Sequence, residues 1–229
     1  MNAHGSDRRT IPQRQTRWAK RAADLLFRAR IRPNHISVAS ALIAIIGSIT
    51  LVLSGPASGA TRPALLIVTA LCIPLRLLFN MLDGMLAVEK GLHEPTGDLF
   101  NEIPDRLADL ALLAAAGYAT AGLVTTEGGT DLGVLLGWLA ASGAVGTAYV
   151  RTLGAAQGVG NYFDGPTAKP ARMWILFLAC IGAIFEPENL RGIALMVALT
   201  LIALGSLATI VNRLRRITRA LRPCGREGR

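Results

Sequence analysis

The sequence predicts an all-α integral membrane protein: six transmembrane helices preceded by an amphipathic interfacial helix, with both termini cytoplasmic. Three observations carry this. The 229 residues are 52% hydrophobic with a mean hydropathy of +0.43, more apolar content than a soluble domain of this length needs. The apolar residues gather into runs of spanning length, separated by short polar or Gly/Pro-containing joints. The net charge of +9 is concentrated at the ends, with nine Lys/Arg in residues 1–32 and seven in 213–229. Basic ends of this kind suit anionic membrane lipids. No nucleic-acid motif or aromatic interleaving accompanies the charge, so no nucleic-acid partner is expected. Cys72, Cys180 and Cys224 lack metal-ligand spacing and read as packing residues. The first 30 residues lack an apolar stretch of the signal-peptide kind, so no cleavage is expected.

In chain order, residues 1–12 are polar and predicted disordered. From Arg14 to Arg30 a helical period puts Trp18, Ala22, Leu25, Leu26 and Ala29 on one face and Arg14, Arg17, Arg21 and Arg28 mainly on the other. That pattern predicts an interfacial helix with its basic face towards anionic lipid. Pro33-Asn34 punctuates the chain, and Asn34 is a candidate N-cap. The predicted spans are 36–54, 63–88, 98–124, 132–156, 171–185 and 190–211. The domain reading is thus an N-terminal segment (1–33), a six-helix membrane domain (34–212) and a basic tail (213–229).

Six spans return both basic ends to one side, which the positive-inside rule makes cytoplasmic. The linkers after spans two and four, with Lys90 and Lys169, share that side; the opposite loops carry no positive excess. The expected location is the inner (cytoplasmic) membrane, with the polar segment below facing the cytoplasm.

Arg76–Asp109 departs from the apolar background. Carboxylates at mid-membrane cost roughly 2.5–3.5 kcal/mol each by insertion scales, yet this stretch holds Asp83, Asp98, Glu102, Asp105 and Asp109. Arg76, Asn80 and Asp83 are spaced i, i+4, i+7, on one face of span two; Asn101, Asp105 and Asp109 share one face of span three. The short linker predicts the two spans to be antiparallel neighbours with converging faces. Oxygen donors without His or Cys suit a hard cation, Mg²⁺ or Mn²⁺ among them. Gly84 and Gly97 would let a ligand or backbone come close. The competing reading is a network of ion pairs, such as Arg76 with Asp83 or Arg106 with Asp109. His35 and His93 stand alone and read as local hydrogen-bonders. Gly133, Gly137 and Ala141 form a small-residue stripe, either a packing face in the bundle or a dimer face.

The stretch Asn80-x2-Asp83-Gly84-x2-Ala87-Val88-x8-Gly97-x3-Asn101-x3-Asp105 resembles the signature of the CDP-alcohol phosphatidyltransferases, D-x2-D-G-x2-A-R-x8-G-x3-D-x3-D, at every spacing. The six spans and the basic N-terminal helix resemble that family too. The resemblance implies a phosphatidyl transfer from a CDP-linked lipid such as CDP-diacylglycerol to a small alcohol or phospho-alcohol acceptor, releasing CMP, with one or two Mg²⁺ or Mn²⁺ ions. It implies metal ligation by Asn80, Asp83, Asn101, Asp105 and Asp109, with Asp105 also the catalytic base. It implies nucleotide contacts at Asn34, Gly84, Ala87 and Gly97, acceptor or phosphate contacts at Arg151, Lys169 and Arg172, and a homodimer.

Three positions depart from the signature: Asn80 and Asn101 replace Asp, and Val88 replaces Arg. They remove two of four negative charges, which predicts weaker metal binding or one ion in place of two, with Glu102 and Asp109 as candidate replacements. They also support a second reading, a catalytically silent relative that binds lipid nucleotide as a membrane scaffold. A small transporter would favour an internal repeat, and none is evident.

Overall fold

The computed structural model describes residues 12–89, 91–92, 97–163 and 165–222, with no side-chain description for 12, 13, 97, 98, 100 and 101. Among the described residues seven α-helices follow one another: α1 (Arg17–Arg28), α2 (Pro33–Ser54), α3 (Thr61–Glu89), α4 (Gly97–Ala119), α5 (Leu132–Ala156), α6 (Lys169–Ile184) and α7 (Ile193–Leu221). Short 3₁₀ turns lie at Pro12–Gln15 and Glu188–Leu190, and no strand forms among the described residues. Helices α2, α3 and α5 and the stretch Glu188–Leu221 are long and apolar enough to cross a membrane, which marks a multi-pass membrane protein. α4 carries Glu102, Asp105, Arg106 and Asp109, and α6, at 16 residues, rises only about 24 Å.

Some boundaries differ from the sequence expectation. α4 ends at Ala119, and the chain to Asp131 forms turns. α7 runs on to Leu221, so the basic tail begins as helix, and Arg213 is buried with its guanidinium on the Thr147 carbonyl. Pro33 opens α2 with Arg32 as N-cap, so Asn34 sits in the first turn and is not the cap. Proline at N1 has no amide to satisfy and a preset φ, which favours starting the helix there.

α2–α7 close into a ring: α2 packs on α3 and α4, α4 on α5, α5 on α7, α7 on α6, and α6 back on α3. The expectation that α3 and α4 are packed neighbours is therefore corrected. α2 lies along both, and α3 and α4 meet through polar side chains.

Small residues make the ring tight. α2 buries Ser37, Ser40, Ala44, Gly47, Leu51 and Ser54 at helical spacing, while Leu42, Ile45, Ile46, Ile49 and Leu53 face outward. With lipid as solvent, close backbone approach replaces the hydrophobic effect as the source of helix association. Gly117 of α4 and Gly137 of α5 show this: a Cβ on Gly117 would lie 2.8 Å from the Gly137 Cα. The Gly133/Gly137/Ala141 stripe is thus spent inside the bundle, and it offers no surface to a second copy.

α1 packs beside α3. Ala19 and Ala23, with Ala22 and Leu26, seat on Met81, Leu82 and Met85. Trp18, 52% exposed, and Leu25, 70% exposed, point away from the bundle. The expected apolar face is thus divided between α3 and the surroundings.

Candidate functional site

The polar segment builds one connected network inside the ring. Arg76, fully buried on α3, reaches across to α4, donating to the Asp105 carbonyl at 3.1 Å and to Asp109 Oδ1 at 2.8 Å. It also approaches Asp105 Oδ1 at 3.4 Å and Met173 Sδ at 3.3 Å. Arg172 of α6 donates to the other Asp109 oxygen, at 2.7 Å from Nη2 and 3.3 Å from Nε, and to Thr147 Oγ1 at 3.0 Å. Asp109 therefore lies between two guanidiniums with both oxygens engaged. A buried carboxylate held this way is neutralised by its partners and costs far less than an unpaired one.

One turn earlier on α4, Asp105 receives Asn80 Nδ2 on Oδ1 at 2.7 Å and the Lys169 ammonium on Oδ2. Asn80 Oδ1 in turn accepts from Ser40 Oγ at 2.7 Å. Asp83 is 2% exposed; its Oδ2 accepts from Ser37 Oγ at 2.7 Å, and its Oδ1 is buried with no partner among the described residues.

The ion pairs differ from those the spacing suggests. Arg76 pairs with Asp105 and Asp109, not Asp83, and Arg106 pairs with Glu102 at 3.3 Å, not Asp109. Glu102 also holds Arg151, which stacks over the Phe163 ring at 5.3 Å. Asp83, Asn80, Asp105, Asp109, Lys169 and Arg172 thus converge, while Arg151 stands aside with Glu102. Gly84 and Ala87 lie on the same turn stretch of α3, both half-buried. The Asn101 side chain, Gly97's surroundings, His93, Lys90, Asp164 and Cys224 lie outside the described residues.

Four participants are not singled out by the motif. Ser37 and Ser40 carry a signal, as polar residues three apart in an apolar run. Thr147 carries none. Arg14 falls on the lipid-facing side by helical period, but it precedes α1 in a 3₁₀ turn, off that helix's register. Its guanidinium lies over Gly84, where an added Cβ would meet it at 2.7 Å.

The donor chemistry fits one hard cation in part. The unpartnered buried Asp83 oxygen suits it, but no group of three or more His, Cys, Asp or Glu forms a ready metal site among the described residues.

No family model matches the chain. It is 29% identical over 191 residues to an uncharacterized protein of Aquifex aeolicus, covering 83% of this chain and 84% of that one. It is 30% identical over 87 residues to the inner membrane protein YnbA of Escherichia coli, of which the match covers 40%. Among solved structures, phosphatidylinositol phosphate synthase (PgsA1) of Mycobacterium tuberculosis with CDP-DAG bound superposes with a TM-score of 0.72 at 22% identity, covering 93% of this chain and all of that one. The same protein with manganese and citrate gives 0.71 at 22%, covering 92% and 93%. Its apo form gives 0.69 at 23%, covering 90% and 99%. The chain therefore has the fold of this phosphatidylinositol phosphate synthase.

Proposed function

We propose that this protein is a CDP-alcohol phosphatidyltransferase that moves a phosphatidyl group from a CDP-linked lipid to an acceptor alcohol. The observation that carries the reading is Asp83: a buried carboxylate oxygen without a partner among the described residues, at the motif's second position, on a fold shared with a synthase solved with CDP-DAG. All six helices α2–α7 would cross the inner membrane with both termini and the network on the cytoplasmic side.

In the reaction, the acceptor oxygen attacks the lipid-bearing phosphorus of the donor. The bond from that phosphorus to the bridging diphosphate oxygen breaks, and CMP leaves with the bonding pair. Asp105 takes the hydroxyl proton. Its Oδ2 carries Lys169, and a carboxylate oxygen has a second lone pair for the acceptor hydroxyl. Bound at Asp83, Mg²⁺ or Mn²⁺ would neutralise the diphosphate and stabilise charge on CMP. Lys169 adds a fixed positive charge beside the same phosphorus. Arg14, over Gly84, is set to meet the diphosphate through charge-assisted hydrogen bonds. Asp109 holds Arg76 and Arg172 in position and is not a metal ligand in this reading.

The test is CMP release by the purified protein in detergent, with CDP-diacylglycerol, Mg²⁺ or Mn²⁺ and a panel of alcohols and phospho-alcohols. Release that depends on an acceptor and falls in Asp105→Asn is the expected result. The silent-scaffold reading draws on Asn80 and on the full set of donors around Asp105; it predicts CDP-lipid binding with no release under any acceptor.

A further inference from the structure

Resting on the transferase reading, we propose that the site takes a single divalent cation, at Asp83, and that Lys169 together with the Asn80 amide stands where a second cation would be. Two carboxylates brought together repel, and a cation between them relieves the repulsion. At positions 80 and 105 this chain removes the need. The Asn80 amide donates to Asp105 Oδ1 at 2.7 Å, which a carboxylate at position 80 could not do. Lys169 holds Oδ2, and Asn80 Oδ1 is taken by Ser40. A second ion would have to displace these donors and sit beside the charges of Lys169 and Arg76.

The other described carboxylates near the network are also committed. Asp109 is shared by Arg76 and Arg172, and Glu102 by Arg106 and Arg151. Asp83 alone among them keeps a buried oxygen without a partner. Lys169 is well placed to hold its ammonium on Asp105. It is the first residue of α6, and Arg172, in the same turn, anchors that helix end on Asp109 and Thr147. The ammonium is thus held at Asp105 by tertiary structure and is independent of ion supply.

The experiment is a Mn²⁺ titration of the full chain in detergent without donor lipid, read by loss of the free-ion EPR signal. The expected stoichiometry is one Mn²⁺ per chain in the wild type, none in Asp83→Asn, and two in the Asn80→Asp/Lys169→Met double variant. Zero or two ions in the wild type, one retained in Asp83→Asn, or one in a folded double variant overturns the proposal. If the double variant does not fold, Lys169→Met alone decides: losing the neighbouring ammonium should tighten Mn²⁺ roughly tenfold, and unchanged or weaker binding overturns the proposal. Ion count and CMP release are separate readouts. A wrong count with release intact defeats this inference alone, and one ion without release defeats the transferase reading alone.

Discussion

Two buried arginine–carboxylate assemblies sit on α3, their arginines roughly 21 Å apart along its axis. At its start, Arg62 pairs with Glu186 at 3.0 Å and donates to the Ala183 carbonyl at 2.9 Å. Glu186 also accepts the amides of Gly192 and Ala194 at 2.7 and 2.6 Å, capping α7. Arg191 closes the same end on the carbonyls of Ser54, Gly55 and Ala57. Further along α3, Arg76, Asp105, Asp109, Lys169 and Arg172 form the denser network, and one oxygen of Asp83 has no partner among the described residues. The first assembly ties α3, α6 and α7 together with both carboxylate oxygens used. The second, in the proposed reading, is where ligand binds. Burial and charge alone do not separate a clasp from a site; the leftover acceptor does.

That contrast can be broken by paired substitutions. Asp83→Asn should lower CMP release by roughly 10²–10³-fold, the scale of losing one preorganised electrostatic contact, while thermal unfolding in detergent stays near wild type. Arg62→Met should do the reverse. It strands Glu186 and should cost about 3 kcal/mol of stability, with activity per folded molecule preserved; Arg62→Met/Glu186→Gln should recover part of the loss. If both variants lose stability and activity alike, the two ends do not differ in kind.

Smaller effects sharpen the picture. Arg14→Ala should raise KM for the CDP-lipid roughly tenfold, as expected for one charge-assisted hydrogen bond. An unchanged KM removes Arg14 from the donor site. Asp131, in the loop before α5, measures what an ordinary surface carboxylate does. The amides of Gly122 and Val134 hold its carboxyl below the usual range. A depressed folded value means its stabilisation is complete above the unfolded value of about 3.9 and fades as pH falls through the folded one. Asp131 is the N-cap of α5 and accepts the Val134 amide, so Asp131→Ala should cost about 1 kcal/mol at neutral pH, and the gap to wild type should close only below about pH 4. Thermal unfolding across pH reads this directly.

Much of the site is legible in the amino-acid sequence. Asn80 and Asp83 share a face of α3, and Asp105 and Asp109 a face of α4, because helical periodicity is a local property. Which charge meets which is not legible there. Arg76 with Asp83 and Arg106 with Asp109 are sound pairings by spacing, and neither forms. The small-residue stripe on α5 reads equally well as a packing or a dimer face, since sequence shows that backbones can approach but not whose backbone does. Arg14 escapes the periodic pattern because a 3₁₀ turn breaks the helical register between it and α1.

The sequence by itself determined the run of helices, the periodicity of their polar and small residues, and the motif spacing, all of which depend on residues within a few turns of one another. Tertiary structure decided that α2 lies between α3 and α4, that Lys169 reaches Asp105 across 64 positions, and that Asp109 is consumed by two arginines. Those choices follow from how six helices close into a ring, where each long side chain takes the partner that the packing brings within reach.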